Sequence, residues 1–407
     1  MDKKQFDRNI DRMKSGSAKW DGAPAIFGTS DILPMWVADM DFEVAAPITE
    51  AIVARAKHGI YGYTFEGDSL KQTVVDRLQA KFGWQVDKSW LVFSTGIVHA
   101  LHMIIKAFTS PGDGIILQPP VYYPFFSAIK NNGCKIIENQ LIEQDGWYSI
   151  DFDGLDTCFK PDYSGLRPEP SRARMMLFCS PHNPVGRVWT RDELERTART
   201  VVGNDAILIS DEIHSELLFS GQKHIVTATL ADDIASRTIT CFAPSKTFNL
   251  AGLKASVLII PNPRIRSIFL ERTAGFLSAP NVYGSTAMEA AFKHGDPWLK
   301  ALLSYLEDNL RFLVEFCESR IPRIKIVPPQ GTYLAWLDCR ELGLSDHELR
   351  SFMRKTARVG LDDGYVFGSG GSGFQRINFA CPRSKLEQAL MQIESAVNEL
   401  PEFARPI

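Results

Sequence analysis

The chain is 407 residues long, 45% hydrophobic and 23% charged, a profile that excludes a disordered chain and leaves room for about two domains around a sizeable core. Its net charge is −3 with Lys and Arg scattered, so no basic stripe points to nucleic acid and no acidic tail to a basic partner. The seven cysteines stand far apart with no CxxC pair, which argues for reduced thiols in a cytoplasmic protein and against a disulfide framework or a metal site.

The opening residues, Met1-Asp2-Lys3-Lys4, are charged and lack an apolar signal core. No run of about 18 apolar residues predicts a membrane span. Residues 1–31 read as a polar, irregular arm, and Leu33–Phe42 as an extended segment crossing a surface. Pro47 opens a helical pattern through Ile48, Ala51, Ile52 and Ala56. Gly59-Ile60-Tyr61-Gly62-Tyr63 cannot hold a helix; it is either a loop packed by its own rings or a contact with a ligand or another subunit.

Gly67–Phe82 follows as an amphipathic helix, with Leu70, Val74, Leu78 and Phe82 on one face. Trp90–Phe93 then runs as a strand into Ser94-Thr95-Gly96-Ile97-Val98. Such a strand, small-residue turn and helix start aims backbone N–H groups at an anion. It is neither GxGxxG nor a Walker loop, so a single phosphate suits it better. The strand Ile115–Leu117 ends at a proline-fixed turn where Tyr122 either packs or presents a flat ring.

Three more apolar strands end in polar residues. Met175–Cys179 leads to Asn183, beyond the C-terminal end of a strand, where open α/β sheets bind ligands. Ala206–Ser210 leads to Asp211, either a helix N-cap or a buried carboxylate in need of a cationic N–H. His214, one turn on, is a second ligand or a satisfied core histidine. Ile239–Phe242 leads to Ser245 and Lys246. A lone lysine at such a turn is ordinarily solvated. With the other strand ends supplying complementary groups, Lys246 reads instead as the Schiff-base lysine of pyridoxal 5′-phosphate (PLP).

The alternation from about Ile115 to Ile260 predicts an α/β fold with a doubly wound, mainly parallel sheet. A long helix over Asp296–Phe316 leads to a smaller α+β domain with strands near 324–327, 332–337, 360–367 and 374–379, and helices near 346–355 and 384–400. The expected division is an arm and joint over 1–46, a large PLP-binding domain over 47–293 and the small domain over 294–407. Arg376 interrupts an apolar strand; a buried arginine requires an anion, either a substrate carboxylate or a structural ion pair.

The segments SPHNPVG, SDEIH, SKTFNLAGL and RINFACPR stand in the order seen in fold-type I PLP enzymes, the aspartate-aminotransferase superfamily. The flanks MWVADMDF, HGIYGY, SPHNPVGRVW, GTYLAWLD and RINFACPRSKLE resemble its cystathionine β-lyase branch of MalY/PatB-type C–S lyases, over nearly the whole chain. The resemblance implies that Lys246 carries the cofactor and acts as base on the substrate Cα, Asp211 faces the pyridine nitrogen, Asn183 its phenolic oxygen and Tyr122 its ring. It implies a phosphate held by the amides of Ile97 and Val98, by Ser245, and by Tyr63 of a second subunit in a homodimer. Arg376 then grips the carboxylate of an amino-acid substrate, helped by Asn183 and backbone near Val37. Lys254, eight residues after Lys246, occupies a place where many aminotransferases carry a phosphate-binding arginine.

The activity implied is α,β-elimination of L-cystathionine or cysteine S-conjugates to thiol, pyruvate and ammonia. An aminotransferase needs the same residues and differs in needing a keto acid acceptor. A third possibility is a PLP-binding regulatory protein acting through a protein partner.

Overall fold

The computed structural model describes residues 3–160 and 173–400. Its centre is a seven-stranded sheet of β1 (Leu91–Ser94), β2 (Gly114–Leu117), β3 (Lys135–Glu138), β4 (Ala173–Cys179), β5 (Ile207–Asp211), β6 (Thr238–Phe242) and β7 (Ser256–Ile259). The spatial order is β1-β7-β6-β5-β4-β2-β3. All neighbours run parallel except β7, which is antiparallel to both β6 and β1.

The crossover helices of this mainly parallel sheet cover both its faces, so its inner strands are buried on both sides. Alternate residues serve opposite cores. Ile115, Leu117, Met175 and Leu177 pack with Leu101, Ile105 and Phe269 on one face, while Ile116, Met176, Phe178 and Leu208 pack with Trp189, Leu194 and Val201 on the other. The covering helix Arg191–Gly203 begins at a capping box, Thr190 with Glu193. A second sheet of four antiparallel strands is ordered β8-β9-β11-β10, where β8 is Lys325–Ile326, β9 Leu334–Asp338, β10 Asp362–Asp363 and β11 Phe374–Asn378. Its register sets Trp336, Arg376 and Asp362 side by side.

The long helix is Asp296–Arg320, one turn longer than expected, and it buries Trp298, Leu302, Leu306 and Leu313. The helix expected near 346–355 is Asp346–Ser351 continued by a π-helical turn, Phe352–Thr356.

Residues 1–31 are not the loose arm their polarity predicts, over the part described. Phe6 is buried against Phe42 and Trp298, with ring centroids 5.0 and 5.8 Å away. Lys19 is completely buried and pairs with Asp41 at 3.0 Å. Leu33–Pro34 adds a short parallel pairing to Val359–Gly360, and the amide of Asn378 donates to the carbonyl of Met35. The extended segment Trp36–Asp41 is thereby tied down along its length. Among the described residues no helix is long and apolar enough to cross a membrane, and no disulfide joins any of the seven cysteines.

Candidate active site

The strand ends bring the predicted polar residues together. Asp211 is the last residue of β5, in register with Cys179 of β4 and Cys241 of β6. No helix follows it, so the N-cap reading fails: residues 213–216 form a turn. Among the described residues its carboxylate accepts one hydrogen bond, from the Ile213 amide at 3.4 Å. Burial pushes this carboxyl up to about 7, against the pull of Ile213 and Lys246.

Lys246 lies in the short helix Pro244–Thr247 just past β6. Its Nζ donates to the carbonyl of Ala38 at 2.7 Å. Burial first, then the positive charge of Arg376, lowers its pKa to about 8. Tyr333, wholly buried, donates its hydroxyl to the same Ala38 carbonyl at 2.8 Å. His214 is also buried, with its ring edge-on to Tyr333 at 6.1 Å and its Nδ1 unpartnered among the described residues. Burial, then Lys246 and Arg376, holds His214 far below the usual imidazole range, as a neutral ring. It is not one helical turn beyond Asp211 as expected; the turn brings it under Tyr333 instead.

Arg376 projects from β11 into the same region. Its Nη1 donates to Asn183 Oδ1 at 2.9 Å and its Nη2 to the carbonyl of Trp36 at 3.3 Å. Nη2 also pairs with Asp362, its cross-strand neighbour. The ion-pair reading therefore holds in this structure. Nε nevertheless has no partner among the described residues. With its Oδ1 bound to Arg376, Asn183 keeps its Nδ2 as the group for a phenolic oxygen. Val37 accepts through its carbonyl from Asn378 Nδ2 at 2.6 Å and from the Asp39 amide at 2.8 Å. The Tyr122 ring is half-buried and edge-on to Phe125 at 5.8 Å. Burial raises its hydroxyl pKa above the ordinary range.

The helix Ile97–Phe108 starts at Gly96, and no side chain caps it. Its first backbone bond is from Ala100 to Gly96 O at 3.0 Å, so the amides of Ile97 and Val98 stay available. The space beside Gly96 is open: a Cβ there would meet nothing within 4 Å. Ser245 is half-buried. Lys254 is exposed and left-handed at φ 49°. It precedes by two residues Ser256, whose strand partner is Ser94 at the end of β1. Tyr63 is fully exposed and makes no part of this cluster within one chain.

These features fit PLP. A buried carboxylate without a cation, an uncapped helix start beside open space, and the amine of a half-buried lysine with a depressed pKa answer its pyridine nitrogen, its phosphate and its aldehyde. The residues that sequence reasoning missed are Ala38, whose carbonyl any residue supplies, and Tyr333 and Asp362. The last two stood in GTYLAW and LDDG, where a polar group in an apolar run was the available signal.

The chain is 42% identical to cystathionine beta-lyase PatB of Bacillus subtilis (strain 168) over 396 residues, covering 97% of this chain and 100% of that one. The crystal structure of cystalysin from Treponema denticola, which contains a pyridoxal 5′-phosphate cofactor, superposes with a TM-score of 0.92 at 37% identity, over 97% of this chain and 99% of that one. Arginine–pyruvate transaminase AruH of Pseudomonas aeruginosa is more distant, 26% identical over 95% of this chain and 96% of its own. The profile of aminotransferase class I and II matches residues 35–393. With that match and these strand-end residues in one site, the chain belongs to the aminotransferase class I and II family.

Proposed function

We propose that the chain is a PLP-dependent carbon–sulfur β-lyase that takes L-cystathionine or a cysteine S-conjugate to a thiol, pyruvate and ammonia. The observation that carries the reading is the meeting, at the C-terminal ends of the paired strands β5 and β6, of the buried Asp211 carboxylate, held by a single backbone amide, and the Lys246 amine, held by a backbone carbonyl. The near full-length likeness to PatB favours the lyase over the more distant transaminase.

When bound, PLP supplies a carbonyl for the substrate amine and a ring that draws electrons from Cα. Lys246 would carry it, Asp211 would hold its pyridine N–H, Asn183 Nδ2 its phenolic oxygen, and the Tyr122 ring its face. The amides of Ile97 and Val98, with Ser245 and Lys254, would hold its phosphate. Asp211, facing a cation, is then held ionised despite its burial. Lys246 Nζ, with a pKa of about 8, is in part neutral near pH 7 and takes the proton from Cα. Arg376 and Asn183 hold the carboxylate and so fix which bond at Cα faces Nζ. Neutral His214 lies beneath as a packed, uncharged neighbour that leaves the balance between Lys246 and Asp211 undisturbed.

The division into 47–293 and 294–407, with 1–46 as arm and joint, is part of the proposal. So is a homodimer. Ile60, Tyr61, Tyr63 and Phe65 form an exposed apolar patch, and Tyr63 is assigned to the phosphate of a second copy. A cytoplasmic location suits seven cysteines without a disulfide.

The test is PLP-loaded protein with L-cystathionine and no keto acid. The expected result is sustained release of pyruvate, ammonia and thiol in equal amounts. Turnover only after a keto acid is added, with a new amino acid formed, would replace the lyase by an aminotransferase.

A further inference from the structure

Arg376 is spent in an unusual way. Its guanidinium lies over the Phe367 ring, with Cζ 4.8 Å from the centroid. Nη1 gives one hydrogen to Asn183, and Nη2 gives its hydrogens to Asp362 and the Trp36 carbonyl. What remains is the unpartnered Nε–H and one hydrogen on Nη1. A carboxylate gripped by two parallel bonds needs an adjacent pair, either Nη1 with Nη2 or Nε with Nη2. Both pairs include Nη2, and Nη2 is taken.

We propose that Asp362 is a specificity-determining residue: a built-in carboxylate that occupies Nη2 of Arg376 and that the α-carboxylate of the substrate must displace. This rests on the reading of the site as one for amino acids, and holds for lyase and aminotransferase alike.

The placement supports competition rather than simple support. Asp362 and Arg376 are direct cross-strand partners, and both are buried. A second carboxylate brought to Arg376 therefore meets Asp362 across a poorly screened distance. The groups facing Asp362 are Arg376, Asp363 and Arg354, with Tyr123 and Tyr122 nearby. Arg354 is bound through Nη2 to Asp363 at 2.8 Å, and among the described residues no hydrogen bond joins it to Asp362. Burial raises the Asp362 carboxyl in spite of Arg376, so Arg376 does not fully offset the cost of burying this charge. A ligand that brings an amine and no carboxylate leaves the pair intact. Asp362 thus sets a threshold on the carboxylate arm of the ligand: it weakens every ligand that must displace it from Nη2 and leaves carboxylate-free amines untouched.

The experiment uses the PLP-loaded, full-length protein and two ligands read by absorbance titration: glycine, which has no β-substituent to lose, and S-methylcysteamine, which has no carboxylate. In Asp362→Asn the dissociation constant for glycine is expected to fall about tenfold, since a like charge beside the clamp is gone, while that for S-methylcysteamine stays within about twofold. Asp362→Glu should restore weak glycine binding. Asp362→Ser replaces the asparagine variant if that one does not fold. Glycine binding that is unchanged or weaker in Asp362→Asn, or an equal gain for both ligands, overturns the proposal. None of these outcomes depends on pyruvate release, so failure of the lyase reading is seen separately.

Discussion

Two clusters of buried charge share the segment Trp36–Asp41, and they differ in how completely they are satisfied. In the first, Asp41 accepts from Lys19 at 3.0 Å, from the Trp20 indole at 2.9 Å and from Arg12 at 2.7 Å. Burial acts to raise its pKa, but Lys19, Trp20 and Arg12 together hold it below the usual carboxylate range. In the second, Asp211 is as buried but has a single long backbone donor, and it is pushed up to about 7. Lys19 has a carboxylate; Lys246 has a carbonyl.

The arginines divide in the same way. Arg77 donates Nε and Nη2 to Glu216 at 2.7 and 2.9 Å and Nη1 to Asp296, between the rings of Phe248 and Phe292. Arg376 has its Nε idle. A complete set of partners marks a group that holds the fold, and an incomplete one marks a group waiting for a ligand.

Substitutions of like residues in the two clusters should therefore separate activity from stability. The largest contrast is between the lysines. Lys246→Ala is expected to lower pyruvate release by at least about 10³-fold, the scale of a lost base and cofactor attachment, with the urea midpoint little changed. Lys19→Met leaves Asp41 short of its main partner and should cost about 3–5 kcal/mol in urea unfolding, with kcat per folded molecule kept. Loss of turnover in the properly folded Lys19→Met protein would dissolve the contrast.

Next come the aspartates. Asp211→Asn removes the partner of the pyridine nitrogen and should lower kcat by about 10²-fold or more. It should not destabilise the cofactor-free protein, because a raised carboxyl gains nothing from its charge there. Asp41→Asn strands Lys19 and Arg12 and should lose about 3 kcal/mol or more. The arginine pair is smaller. Arg376→Lys should raise KM roughly tenfold through loss of the directional clamp. Arg77→Lys should cost about 2 kcal/mol of stability through lost charged hydrogen bonds and leave KM unchanged.

The residues of the second cluster were legible in sequence because each interrupts or ends an apolar strand. Asp211, Lys246 and Arg376 stand where a buried strand has no use for charge, and their neighbours along the chain announce the strand. The first cluster was not legible. Lys19 and Asp41 are 22 residues apart, in a stretch whose glycines and polar residues read as irregular. Nothing local states that the arm is docked. Phe6 is a lone aromatic whose core, Phe42, Trp298 and Tyr305, is assembled from distant parts of the chain. Asp362 escaped because its neighbour Asp363 makes the pair look like a polar turn. Only the cross-strand register shows that it faces Arg376. The mainly parallel sheet and its covering helices came through, because strands buried on both faces leave a continuous apolar signature, whereas the spatial order of the strands has no such local mark.

The smallest expected effect is also the one that reads both clusters in a single measurement, the dependence of stability on pH in the cofactor-free protein. Asp211 has a folded pKa of about 7 against an ordinary 3.8. Between those values the folded state binds a proton that the unfolded chain has released. Stability from this group is then full below about pH 4 and falls as pH rises through 7, by about 1 kcal/mol between pH 6 and 8. Asp41 has the opposite sign: its folded pKa is depressed, so its contribution is present above the ordinary carboxylate range and is lost as the solution is acidified through the folded value. Lys246, lowered to about 8, is the folded group that has lost its proton first, so stability recovers as pH rises above 8. Urea midpoints taken across this range should show a shallow dip near pH 8. Asp211→Asn should remove its neutral limb and Asp41→Asn should shrink its acid limb, to which other lowered carboxyls and the neutral buried histidines also contribute. Adding PLP to the wild-type protein should shrink the neutral limb as the asparagine does, because a cationic ring nitrogen gives Asp211 the partner that Asp41 has already. A neutral limb that survives in Asp211→Asn would mean that some other group titrates there and that the two carboxylates do not differ as their surroundings require.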